Sequence, residues 1–247
     1  MIKRIGILTS GGDAPGMNAC IRSVVRAAYK NNIKVVGIEY GYKGLLNSNF
    51  INLSPESVGN MLHKGGTILK TNRCEEFKQK KYRKIAYKNL IKENIDGLIV
   101  LGGDGSFKGA SILSKEFKIP VIGIPSTIDN DIYGSDYSIG FNTAVQTIMD
   151  SVDKIRDTAS SHERIFFIEV MGRNSGHLAI HAGNATGAEL IMIPEIKIKN
   201  LDFLVKRMER TYSNAIKISE MIDKKSLEEH SNISKRLFRK ILEELEL

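Results

Sequence analysis

Short apolar runs rich in Val and Ile alternate with longer amphipathic stretches through most of the chain, and that alternation leaves few folds open to it. IKRIGIL (2–8) leads into a helical pattern over 17–30, and IKVVGIE (33–39) follows. A second cycle predicts a helix over 82–94, a buried strand over 97–101, a helix over 107–117 and a strand over 120–124. Strands separated by helices have no hairpin to join them. They pair in parallel through crossovers whose helices cover both faces of the sheet. The same reading continues with a helix over 143–156, a strand at RIFFIEV (164–170), a short helix over 175–183 and a strand at ELIMI (189–193).

The rhythm stops near residue 200. All 22 glycines and all 5 prolines lie before residue 195, while 201–247 is dense in charge and ends in LFRKILEELEL, with leucines at helical spacing. This tail reads as a charged surface helix or a partner-facing one.

Lys and Arg exceed Asp and Glu to give a net charge of +8, which favours anionic ligands. The basic residues are spread out and not interleaved with aromatics, so small phosphorylated molecules are expected in preference to nucleic acid. No apolar stretch approaches the roughly 18 residues of a membrane span, so no membrane association is expected. The N-terminus enters a strand pattern with no signal-like segment, which predicts a cytoplasmic protein. Cys20 and Cys74 form no CxxC pair, which suits a reducing compartment and argues against a structural zinc site.

Four clusters of glycine and polar residues fall at the ends of expected strands, where an open α/β sheet places its ligand crevice. The first is SGGDAPG (10–16). Its glycines let a backbone approach a phosphate, and the following helix offers its first N–H groups; a tight structural turn accounts for the same residues. Neither GxxxxGK[ST] nor a complete GxGxxG is present, so a P-loop ATPase and a standard dinucleotide site lose support. The second is GGDGS (102–106), where Asp104 stands among glycines. Beside a triphosphate a carboxylate is useful only through a cation, which makes Asp104 a candidate Mg2+ ligand; the alternative is a helix N-cap.

The third cluster, PSTIDND (125–131), carries Asp129 and Asp131 at i and i+2. In an extended segment both point to one side, about 6 to 7 Å apart, where they can serve a metal and a reacting hydroxyl together; the other reading is a solvated Asn/Asp turn. An aspartate can accept an alcohol proton late in phosphoryl transfer, once the oxygen is bonding to phosphorus. The fourth, MGRNSG (171–176), offers Arg173, and Arg164 begins the strand before it. Guanidinium groups there can grip a sugar phosphate through two hydrogen bonds. His177 and His181 have i,i+4 spacing without a third ligand or an HExxH glutamate, so they are expected at the surface. Arg22, Arg26 and Arg156 either bind an anionic effector or lie on solvated helix faces.

Taken in order, ILTSGGDAPGMNA, VGIEYGYKGL, GGTILKTNR, LGGDGSFKGA, IPSTIDNDI, GSDYSIGFNTA, SSHERIFFIEVMGR and GAELIMIPE resemble the bacterial ATP-dependent 6-phosphofructokinase family, nearly collinearly over 1–195. The resemblance implies two Rossmann-like three-layer α/β/α lobes with mainly parallel sheets. These would be a nucleotide-binding lobe over 1–137 and a partial sugar-phosphate lobe over 138–200, with the charged tail over 201–247. It implies transfer of phosphate from Mg-ATP to the 1-hydroxyl of fructose 6-phosphate. Asp129 would be the base, and Thr127 and Arg173 would stand near the transferring phosphoryl group. Asp104 and Asp131 would hold Mg2+, while Gly12, Tyr42, Arg73, Cys74, Gly103, Gly105, Ser106 and Gly109 would join Asp104 around ATP.

On the sugar side the resemblance implies Thr127, Asp129, Asp131, Met171, Gly172 and Arg173. Arg164 would reach the neighbouring subunit's site in a homotetramer. Arg22, Arg26, Arg156, Gly187 and Glu189 would bind an effector, ADP or phosphoenolpyruvate. Relatives that use pyrophosphate typically carry aspartate where Gly105 stands and lysine where Ser126 stands, so the small residues here imply ATP. An AEG-type strand and a GHIQRGGSP-like loop, which complete the sugar-phosphate site in the family, are not matched in 196–247. The second lobe is therefore expected to be incomplete, and a regulatory nucleotide-binding subunit is the alternative reading. Another GGDG-type kinase, acting on NAD or a lipid, fits the TIDND and MGR motifs poorly.

Overall fold

The computed structural model describes residues 2–161, 166–196 and Lys206. A first βαβ unit comprises β1 (Arg4–Ser10), α1 (Met17–Lys30) and β2 (Lys34–Ile38). A short helix α2 (Gly41–Asn47) then returns the chain to β3 (Phe50–Leu53), and a 3-10 turn (Glu75–Lys78) precedes α3 (Lys80–Lys92). Next come β4 (Gly97–Gly102), α4 (Asp104–Phe117), β5 (Val121–Thr127), β6 (Ile139–Gly140), α5 (Phe141–Ser161) and α6 (His177–Thr186).

The six strands form one sheet in the order β3-β2-β1-β4-β5-β6. Every pairing is parallel except β2 with β3, which α2 is short enough to join antiparallel. Alternation along each central strand sends neighbouring side chains to opposite faces. Leu8, Val36, Ile38 and Val100 pack under α2, α3 and α4 with Leu45, Leu90 and Leu113. Ile7, Val35 and Leu101 face the other way and pack against Met17, Ile21 and Val25 of α1. The parallel sheet with both faces covered is thus present as the sequence pattern demands.

Two expected strands are not formed among the described residues. RIFFIEV reaches the described residues at Phe166, and neither 166–170 nor 189–193 carries a ladder. A β-rich sequence becomes a strand only where another strand accepts its hydrogen bonds, and among the described residues the sheet ends at the two-residue β6. Phe166, Phe167 and Ile168 remain about two-fifths exposed, at 43%, 40% and 42%. Among the described residues the second lobe is represented by α5 and α6, which pack on each other, and by no second sheet. The expected helix in 201–247 and the placement of Arg164 lie outside the described residues. No described helix is long and apolar enough to cross a membrane.

Candidate active site

Between β1 and β4 the strand order changes direction, and the loops leaving these strands border the crevice that such a switch point creates. In the first loop Gly11 and Gly16 both adopt φ of 95°, a conformation natural to glycine. Gly12 is exposed, with no atom within 4 Å of where a side chain would start. No side chain caps the N-terminus of α1, and the Met17 N–H is donated to the Ala14 carbonyl at 3.3 Å.

The second loop is locked to the first. Ser106, 6% exposed, donates its hydroxyl to the Ser10 carbonyl at 2.9 Å. A Cβ on Gly102 would lie 2.5 Å from that same carbonyl oxygen, so only glycine fits. The Ser106 carbonyl accepts the Tyr42 hydroxyl at 2.6 Å, and the Tyr42 ring stacks on Phe77 at 4.0 Å. Burial pushes the Tyr42 phenol well above its ordinary range. Tyr42 is therefore the floor beneath the start of α4, and a Cβ on Gly109 would touch its ring at 3.3 Å. Gly103 occupies the N-cap of α4, so Asp104 is not the cap. It stands exposed in the first turn and pairs with Lys108 at 2.6 Å, a cation whose i,i+4 spacing is visible in DGSFK. Gly105 faces open space.

Arg73 is exposed, and Cys74 is partly buried with Sγ 3.5 Å from Glu76 Oε2; burial raises its thiol pKa. The stretch that carries them is fixed by Arg83, whose guanidinium donates to the carbonyls of Phe77 at 2.8 Å and Lys78 at 2.6 Å. The same group binds both Glu116 oxygens, at 2.7 and 2.8 Å, tying α3 to α4.

The third loop departs from expectation. Asn130 has φ of 51°, so 129–131 is a turn and the argument for two carboxylates on one side of an extended segment fails. The Asn130 carboxamide accepts the Ser138 N–H at 2.8 Å and donates to the Asp136 carbonyl at 3.2 Å. Ser138 in turn donates its hydroxyl to the Thr127 carbonyl. Thr127 lies beside the start of α4, its Cβ 3.9 Å from where a side chain on Gly103 would begin, and its Oγ1 accepts the Asp129 N–H at 3.3 Å. Asp129 is partly buried, and burial raises its pKa, with repulsion from Asp131 adding to the shift and Arg173 opposing it. The turn thus keeps both carboxylates within each other's field.

In the fourth loop Gly172 has φ of 140° and a Cβ there would lie 2.4 Å from the Ser175 carbonyl oxygen. Met171 is 73% exposed, and Arg173, also exposed, has φ of 52°. Ser175 donates to the Asp129 carbonyl at 2.8 Å, joining this loop to the third. Glu195 accepts the Gly176 N–H at 2.8 Å, and that bond lowers its pKa. Ser175, Ser138 and Glu195 carry no sequence signal that separates them from other polar residues.

The remaining candidates form two groups. Arg22 donates to the Val58 carbonyl at 2.6 Å, and Arg26 is exposed near Glu56. Arg156 caps the end of α6 through the carbonyls of Thr186 and Gly187, with Glu189 exposed nearby in sequence. No hydrogen bond or ion pair joins the two groups among the described residues. His177 and His181 turn their ring edges to Phe141, at 6.4 and 5.1 Å.

Among the described residues no three His, Cys, Asp or Glu are placed to hold a metal ion by themselves. Mg2+ commonly takes one or two carboxylates and completes its shell with water and substrate phosphates. The exposed Asp104 and Asp131 suit that mode, and a cation would relieve the repulsion that raises the Asp129 pKa.

The sequence profile described as Phosphofructokinase matches residues 4–246. Over 194 residues the chain is 59% identical to the ATP-dependent 6-phosphofructokinase of Persephonella marina, covering 78% of this chain and 60% of that protein. It is 53% identical over 216 residues to ATP-dependent 6-phosphofructokinase 2 of Bacteroides thetaiotaomicron, covering 87% and 66%. Phosphofructokinase from Saccharomyces cerevisiae superposes with a TM-score of 0.82 at 39% identity, over 85% of this chain and 32% of that one. A pyrophosphate-dependent phosphofructokinase from Marinobacter aquaeolei superposes at 0.75 with 25% identity, over 85% and 57%. The chain spans about three-fifths of the length of the first bacterial relatives it matches, 60% and 61%.

Proposed function

The chain belongs to the phosphofructokinase family, and on that footing we propose that it transfers the terminal phosphoryl group of ATP to the 1-hydroxyl of fructose 6-phosphate. The observation that carries this reading is Asp129: a partly buried carboxylate, raised in pKa, in the turn just after β5, whose last residue Thr127 lies beside the N-cap of α4. Such a group can take the hydroxyl proton as the oxygen bonds to phosphorus, and its raised basicity improves that transfer. Arg173 stabilises the Asp129 carboxylate before the proton arrives and offers charge to the phosphoryl group in flight. Thr127 holds the start of the turn, and Ser175 ties the sugar-side loop to it.

The amides around Gly11, Gly12 and Gly103–Gly105 cradle the donor's phosphates, with Arg73 and Cys74 at the edge. Asp104 and Asp131 hold Mg2+, which neutralises phosphate charge when bound. Open space at Gly105 favours ATP over pyrophosphate, since a nucleotide's longer phosphate chain needs that room. Ser126 is 2% exposed and turns its hydroxyl to the Ile124 carbonyl at 3.3 Å, so it does not obstruct the donor.

Residues 1–137 serve the nucleotide and 138–200 the sugar phosphate. The same reading includes a homotetramer, the cytoplasm, and ADP or phosphoenolpyruvate as effector at the Arg22 and Arg156 groups, each supported by likeness to the family. A coupled assay with ATP, Mg2+ and fructose 6-phosphate tests the reading: turnover is expected, and Asp129→Ser should abolish it. ATP binding without turnover in the unaltered chain would leave a regulatory nucleotide-binding subunit.

A further inference from the structure

One buried polar side chain in the first turn of α1 has no part in the chemistry above. Asn18 is 2% exposed, and its carboxamide bridges two points of a loop. Nδ2 donates to the Lys64 carbonyl at 3.0 Å, and Oδ1 accepts the Ile68 N–H at 2.8 Å. Between those points lie Gly65, Gly66 and Thr67, in a stretch with no helix or strand to satisfy its backbone.

Thr9, fully buried near the end of β1, adds a second tie. Its Oγ1 donates to the Lys70 carbonyl at 2.7 Å and lies 3.2 Å from Thr67 Oγ1. Thr71 completes the set by donating to the Gly11 carbonyl at 2.8 Å. Arg73 and Cys74 follow directly after this last tie. The irregular stretch 64–71 is thereby fastened to α1, to β1 and to the first glycine loop by side chains that are distant in sequence.

We infer that Asn18 is a positioning residue for the nucleotide: its carboxamide sets the path of 64–71 and so holds Arg73 and Cys74 in register with the Gly11–Gly12 loop. The inference rests on the nucleotide reading of these loops. A carboxamide supplies a donor and an acceptor from one planar group, whereas a carboxylate of the same shape only accepts and a methyl group does neither. Asn18→Asp therefore sets a carboxylate against the Lys64 carbonyl at neutral pH and regains a donor when the carboxyl is protonated.

The test is calorimetric titration of ATP, with Mg2+ present, into the full chain and its variants. Leu178→Ala is the control, because Leu178 is 1% exposed in α6, which packs on α5 away from the 64–71 stretch. The unaltered chain binds ATP, and Asn18→Ala weakens binding about tenfold. Asn18→Asp behaves likewise at neutral pH and recovers affinity on acidification, while Leu178→Ala lowers the melting temperature without moving the dissociation constant. If Asn18→Ala does not fold, Thr71→Val removes one tie at nearly constant volume and should weaken ATP binding in the same sense. Unchanged affinity in the Asn18 variants, or an equal loss in Leu178→Ala, would overturn the inference. Absence of ATP binding by the unaltered chain would overturn the nucleotide reading beneath it.

Discussion

Removing Glu116 should cost more than any other single surface-adjacent change in the α3–α4 region. Its partner Arg83 is 7% exposed at the side chain, and among the described residues every hydrogen bond of the guanidinium goes to Glu116 or to the carbonyls of Phe77 and Lys78. Breaking a buried ion pair from one side costs about 3 to 5 kcal/mol, since it leaves an uncompensated charge. Glu116 is 18% exposed, so water partly screens the orphaned guanidinium and about 3 kcal/mol is the better expectation for Glu116→Ala. For a domain of this size that corresponds to a fall of about 6 to 12 °C in melting temperature.

Thermal unfolding followed by circular dichroism measures it, and the double variant Arg83→Met with Glu116→Leu supplies the cross-check. Replacing both partners with apolar groups removes the stranded charge, so the double variant should lose far less than the two single losses added together. The pair also carries a pH signature. The Arg83 hydrogen bond lowers the Glu116 pKa, so the stabilisation is complete above the carboxylate's unfolded pKa and is lost as pH falls through the depressed folded value. A melting temperature within about 2 °C of the unaltered chain for Glu116→Ala, or strictly additive losses in the cycle, would refute the reasoning.

Two further outcomes can be checked. The pH profile of kcat/KM should rise with deprotonation of Asp129; because Asp131 raises that pKa and Arg173 lowers it, Asp131→Asn moves the acidic limb to lower pH and Arg173→Met moves it to higher pH. A profile unmoved by both changes would dissociate Asp129 from the limb. Gly172→Ala forces a Cβ to within 2.4 Å of a backbone oxygen at φ of 140°, a local penalty of about 1 to 3 kcal/mol that should raise the KM for fructose 6-phosphate while leaving ATP affinity in place.

The central elements were legible in the sequence because each strand is an apolar run and each long helix an amphipathic stretch. The helix pattern over 17–30 coincides with α1, and the strand patterns around β1, β2, β4 and β5 fall within a few residues of the observed bounds. The four-residue strand β3 and the seven-residue helix α2, under two turns, are short for their types and carry no such run or stripe. RIFFIEV and ELIMI show the opposite case, a local preference for strand that no ladder realises among the described residues. At the site, glycine and aspartate clusters mark the loops, but their ties are not local. Ser106 reaches a carbonyl 96 residues away, and Asn18 reaches carbonyl and amide groups 46 and 50 residues away. No sequence pattern distinguishes such a serine or asparagine from one facing water.

The shared oxygen of Ser10 has a kinetic implication. With Ser106 bonded to it and no room for a side chain at Gly102, the first two loops behave as one stiff cradle. Among the described loops, opening and closing during a reaction cycle then falls to the turn at 129–131 and the bend at 172–176, so the rate of that gating should respond to substitutions at Ser138 and Ser175 and be indifferent to those beneath the phosphates.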